Sequence, residues 1–253
     1  MNTSDFDRNV RLVTSYILSP VQLGLIRTLF ALYTLVTLIF VMVWEGTKTK
    51  DIDAFFSYFT NLSYIGICAY FLAAGTQTLL FVKYSRGGEH HYPLQTWPRP
   101  LRCLHIFLLS TIITFPILVT IVYWALLSSS STFTTPYSAW TNVSKHALNT
   151  AFAFFEICVT NIEPSTWIHL FTTIVILGGY LGVAYITHAT QGFYTYSFLD
   201  PSKGSKKLVI YVIGIALGQC LVFSIVNGVI YIRKSLTRRA ENDAIDEKSS
   251  GSA

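Results

Sequence analysis

The chain has 253 residues, of which 52% are hydrophobic and only 12% charged, with a mean hydropathy of +0.48. An average soluble domain carries about 25% charged residues, so this composition excludes a disordered chain and argues against a soluble globular enzyme. The net charge of +5 does not mark a nucleic-acid binder, because the basic residues sit in short clusters between long apolar runs.

A membrane helix needs about 20 mostly apolar residues. In chain order the sequence predicts spans over Leu18–Trp44, Ala54–Val82, Leu101–Leu127, Trp140–Thr160, Trp167–Thr187 and Leu208–Ile232. The second and fourth are the more polar. The fold class is therefore an all-α polytopic bundle of six transmembrane helices over residues 18–232. It is flanked by a tail over 1–17 and by a basic, then acidic, then Ser/Gly-rich tail over 233–253, read as disordered. Six spans put both tails on one side, together with the loops after spans 2 and 4. That side holds 11 of the Lys and Arg residues against 5 on the other, so both tails are expected in the cytosol. The basic flanks fit the endoplasmic reticulum or the plasma membrane, and span 1 reads as an uncleaved anchor.

Polar residues inside spans carry the functional information, because a charge at a helix centre costs about 2.5–3.5 kcal/mol on insertion scales. At 100° per residue, span 4 places Asn142, Lys145, His146, Asn149, Glu156 and Thr160 within one sector. That stripe predicts either a hydrogen-bonding seam between helices or the wall of a polar cavity. Span 2 carries Ser57, Thr60, Asn61, Tyr64 and Cys68 on one face, with Thr60 one to two turns inside. Arg27, two turns into span 1, is expected to snorkel to the interface in preference to pairing with Glu156. Pro116 predicts a kink in span 3. His169 and His188 mark opposite ends of span 5, and Gln219 and Asn227 read as packing contacts in span 6. The four cysteines lie in four different spans without a CxxC pair, so neither disulfide nor metal is predicted.

No nucleophile elbow, zinc-protease string, P-loop or dinucleotide fingerprint is present. A hydroxyl needs a base to become a nucleophile, and His is the usual one. Thr60 with His146, flanked by Asn61, Asn142 or Asn149 as oxyanion donors, would supply those parts. Both lie near the same, non-cytosolic end of their spans.

Four stretches resemble the androgen-induced, androgen-dependent family of multipass membrane threonine hydrolases. They are Ser57-Tyr58-Phe59-Thr60-Asn61, Leu101-Arg102 with Phe115-Pro116 and Tyr123-Trp124, Asn142 to His146 with Glu156 ten residues on, and Thr187-His188-Ala189-Thr190-Gln191-Gly192 leading to Tyr196-Ser197-Phe198-Leu199. The similarity spans about residues 50–235. It implies a six-span intramembrane hydrolase with Thr60 as nucleophile and His146 as base, and substrates of the class of fatty acid esters of hydroxy fatty acids. Asn61, Asn142, Asn149, Glu156 and His188 are read from the residues as a supporting polar cavity, and no cofactor is expected. The sequence departs from the family pattern at Val143, where the family has a second His, at Ala147, where it has Thr, and at Ser197, where it has Pro. The expectation is thus a lipid-ester hydrolase. The alternatives are a non-enzymatic transporter or scaffold, and a haem-binding cytochrome using His105 with His169 or His146 with His188.

Overall fold

A computed structural model describes residues 6–85 and 91–250, without the side chains of 130, 131 and 240–250. Asn2, Arg86 and the end of the chain past 250 lie outside the described residues. The helices are α1 (Pro20–Trp44), α2 (Phe59–Ser85), α3 (Arg99–Ile112), α4 (Phe115–Val122), α5 (Pro136–Val143), α6 (Asn149–Val159), α7 (Trp167–Gln191) and α8 (Ser205–Ser250). π-helical turns extend α1 through Thr49, extend α4 through Leu127, and join α5 to α6 over Ser144–Leu148. Among the described residues the only β pairing is an isolated bridge between Ser15 and Thr160.

Local chemistry places several ends. Ser19 caps α1 through a capping box with Gln22, followed by Pro20 at the first helical position. Thr135 and Ser138 do the same for α5, again with a proline next. Gly192, at φ 80°, closes α7 in the left-handed conformation that only glycine adopts freely. The predicted kink at Pro116 is a full break: α3 stops at Ile112, and α4 restarts with Pro116 in its first turn. α8 continues past Ile232, where the sequence reading ended span 6, to Ser250. That stretch holds good helix formers and neither Pro nor Gly.

Among the described residues, five helical runs are long and apolar enough to cross a membrane: Pro20–Thr49, Phe59–Ser85, Arg99–Leu127, Trp167–Gln191 and Ser205–Arg239. The molecule is a multipass all-α bundle. The sixth run, over 136–159, is helical throughout but more polar, which is why hydropathy leaves it out. Its length, about 36 Å at 1.5 Å per residue, matches its neighbours. At one end of the bundle Tyr137 stacks on Trp44, with ring centroids 4.5 Å apart. At the other end Asn161 N–H donates to the Thr14 carbonyl at 3.1 Å. The six runs thus alternate in direction between two ends.

α1 and α2 form the tightest pair. A Cβ on Gly24 would stand 2.7 Å from Leu79 Cδ2, and one on Gly75 would stand 3.1 Å from Thr28 Oγ1. Small residues let the two backbones approach, the usual basis of helix association where lipid removes the hydrophobic drive. α7 and α8 form the open side. Phe171, Val175, Ile186, Leu217 and Leu221 face outward, an apolar surface suited to acyl chains. The N-terminal segment closes one end. Asp7 accepts the N–H groups of Arg11 and Leu12 and the Tyr92 hydroxyl, while Leu12 and Val13 are buried beneath.

Candidate active site

α2 begins one residue before Thr60, because Tyr58 is extended and separates it from a short 3-10 turn over Ile52–Ser57. Thr60 therefore lies in the first turn of α2, not one to two turns inside. The first N–H groups of a helix have no partner within it. Tyr196, from the α7–α8 connection, lies beside this turn, its ring centroid 6.0 Å from that of Tyr58 and 6.1 Å from that of Tyr180. Burial pushes the Tyr196 hydroxyl pKa up, and the nearby Thr60 hydroxyl and N–H oppose that shift. Tyr180 donates to the Ser57 carbonyl at 2.9 Å and shares a 3.1 Å hydrogen bond with Thr195.

These hydroxyls stand at the edge of a cavity of about 230 Å³. Its walls are Leu118, Val119 and Val122 of α4, Ile174, Leu177 and Leu181 of α7, and Val212, Ile215 and Ala216 of α8. Tyr123 and Phe198 complete it, and no charged side chain lines it. Gly178 of α7 lines it too and is exposed on the outer face of that helix.

His146 sits in the π-helical turn between α5 and α6, buried, with its ring stacked on Tyr123 at 3.5 Å and 3°. Its carbonyl accepts the Trp124 indole N–H at 2.8 Å, and its Nδ1 has no partner. His146 does not line the cavity, and no hydrogen bond joins it to Thr60. Tyr123, which lines the cavity, lies against His146 and makes one hydroxyl hydrogen bond, 2.6 Å to Asn142 Oδ1.

The remaining stripe residues of the fourth run face several neighbours and do not form one wall. The π turn breaks the 100° periodicity that aligned them. Lys145 reaches Asn61 Oδ1 at 2.7 Å, and Asn61 Nδ2 donates to the Phe55 carbonyl. Asn142 also donates to the Thr132 carbonyl. Asn149 and Thr150 both donate to the carbonyl of Pro116, and Thr120 binds both of their side chains. His188 stacks on Tyr194 at the rim of a separate polar depression that also holds Asp200, Ser202 and Lys203. There the Ser202 hydroxyl and N–H hold the Asp200 carboxyl below its ordinary range.

Glu156 lies at the opposite end of the bundle. Arg27 does not snorkel. It is fully buried and grips Glu156 through Nε at 2.8 Å and Nη2 at 2.7 Å. Its Nη1 donates to the Leu12 carbonyl and to Thr78 Oγ1, and Tyr70 donates to Glu156 at 3.1 Å. Snorkelling loses because a fork with four good acceptors inside the bundle needs no water. Gln219 and Asn227 make helix-packing contacts, to Thr114 and to Ser165. The four histidines considered for haem lie against four different aromatic rings, those of Tyr70, Tyr123, Phe107 and Tyr194.

Sequence reasoning missed Tyr123, Tyr180 and Tyr196 as parts of the site. Among 15 tyrosines none stands out by spacing, and only the shared boundary of the cavity selects these three. Comparison with protein-family models, curated proteins and solved structures finds no match to this chain.

Proposed function

We propose that this membrane protein is an intramembrane hydrolase of lipid esters, with Thr60 as nucleophile and His146 as general base. One observation carries the reading. The Thr60 hydroxyl stands with two tyrosine hydroxyls at the polar edge of an otherwise apolar cavity in a membrane bundle. An acyl chain in the cavity would bring its ester to Thr60. The imidazole of His146 takes the Thr60 proton as Oγ attacks the carbonyl carbon. The alcohol leaves with that proton, and water then releases the acid from the acyl-threonine. The Phe59 and Thr60 N–H groups at the start of α2 would serve as oxyanion donors. Proton transfer requires Tyr123 to swing aside or a water to bridge, a rearrangement familiar from ligand-free sites whose catalytic hydrogen bonds tighten only around substrate. The resemblance to the androgen-induced family supports the same pair, and fatty acid esters of hydroxy fatty acids are the first substrates to screen. With both tails in the cytosol, as the basic residues favour, Thr60 lies near the non-cytosolic interface.

The test is covalent labelling of purified protein with a fluorophosphonate probe. Loss of labelling in well-folded Thr60→Ala and His146→Ala, with retention in Thr60→Ser, supports the pair. Equal labelling in all variants removes it. The separation of His146 from Thr60 favours a second reading, a lipid carrier that binds in the cavity without chemistry. Folded wild type that binds lipid and never labels selects it.

A further inference from the structure

We propose that the cavity between α4, α7 and α8 is a binding site for a single acyl chain, entering sideways from the bilayer, with an uncharged ester or hydroxyl head held at Tyr196 and Thr60. The inference rests on the hydrolase reading only for the chemistry, and it departs from the substrates of the resembled family, which carry a carboxylate and a second chain, in favour of monoacyl lipids with a neutral head.

Four observations carry it. The walls are mainly Leu, Val, Ile and Ala side chains from three helices, and the hydroxyls among the lining residues are those of Thr60, Tyr123, Tyr180 and Tyr196. Most sites that enclose a drug-sized ligand measure about 300–1,000 Å³; at about 230 Å³ this one is too small for two chains and holds part of one. No Lys, Arg, Asp or Glu lines it, so a charged head would be stripped of water without a counter-ion. The exposed Gly178 leaves the wall open on the face that α7 turns outward, and a Cβ there would meet nothing within 4 Å. A chain already in the bilayer can therefore enter without crossing water. Tyr196 and Thr60 offer hydroxyl and N–H groups, which suit an ester oxygen or an alcohol.

The experiment uses full-length protein in nanodiscs and a photoreactive diazirine-bearing monoacylglycerol, with labelled residues located by mass spectrometry. The expected result is saturable labelling on α4, α7 and α8. Unlabelled monooleoylglycerol should compete at least tenfold better than oleate or dioleoylglycerol. Ala216→Phe, which fills the cavity from α8, should abolish labelling. Gly178→Phe is the second blocking variant should Ala216→Phe fail to fold. Tyr196→Phe should weaken monoacylglycerol binding roughly five-fold, the order of one hydrogen bond, and leave binding of a diazirine-bearing hydrocarbon of the same length unchanged. Wild-type labelling in both folded blocking variants, or equal competition by oleate or dioleoylglycerol, would overturn the proposal. Release of oleate is followed in the same samples. Cavity labelling without release defeats the hydrolase reading alone, whereas release without cavity labelling defeats this inference alone.

Discussion

Two polar clusters, one at each end of the bundle, treat their groups in opposite ways. Where the N-terminal segment packs, Arg27 and Glu156 are fully buried, and every nitrogen of the guanidinium and both carboxylate oxygens have partners. At the other end, the His146 Nδ1 is buried without a partner, and the Thr60, Tyr180 and Tyr196 hydroxyls border an open cavity. The first arrangement holds helices together. The second leaves bonding capacity unused, which is where ligands and chemistry find purchase. Glycine follows the same division. Gly24 and Gly75 are pinned between α1 and α2, while Gly178, Gly179 and Gly182 of α7 have open space where a Cβ would go.

The sharpest way to break this comparison is to remove one ion. Arg27→Ala or Glu156→Ala strands a buried charge and should cost about 3–5 kcal/mol, read from chemical unfolding in detergent. The double variant Arg27→Met/Glu156→Leu should recover most of that loss. Single variants as stable as wild type would show that the pair does not organise this end. At the cavity end the expected pattern is reversed. Thr60→Ala and His146→Ala should shift unfolding by only about 1 kcal/mol, yet remove fluorophosphonate labelling. The glycines sharpen the contrast further. Gly75→Ala should cost about 1–3 kcal/mol through overpacking against Thr28. Gly179→Ala should be neutral or stabilise by up to about 1 kcal/mol through helix propensity, and the two unfolding midpoints compare them directly. The smallest effect on labelling is that of Asn142→Ala. It deletes the hydrogen bonds to Tyr123 and to the Thr132 carbonyl and should cost about 1–2 kcal/mol, while raising the labelling rate if Tyr123 must move for His146 to act.

Much of the architecture was legible. Five of the six expected spans, the more polar second one included, appear as long apolar helical runs with ends within seven residues of their sequence boundaries, since runs of about 20 apolar residues are a local property. Pro116 announced the break between α3 and α4 because a missing N–H acts wherever the chain goes. The sixth run was legible as a helix with a polar stripe, but its phase was not. The π turn at Ser144–Leu148 sends Lys145, His146 and Asn149 to different neighbours, and nothing in those five residues signals it. Thr60 was placed too deep because hydropathy does not see Tyr58 leave the helical region.

By itself, then, the sequence determined a multipass helical bundle, its helical segments, and the two residues worth testing as nucleophile and base. Hydropathy and proline act over a few residues, so no tertiary contact is needed to read them. Only the tertiary structure decided that Arg27 is buried on Glu156, that Tyr123 separates His146 from the cavity, and that Tyr196 meets the first turn of α2. Those partners lie 129, 23 and 136 residues apart in the sequence. A buried charge or hydroxyl takes whichever partner packing brings within 3 Å, and local sequence does not encode that distance.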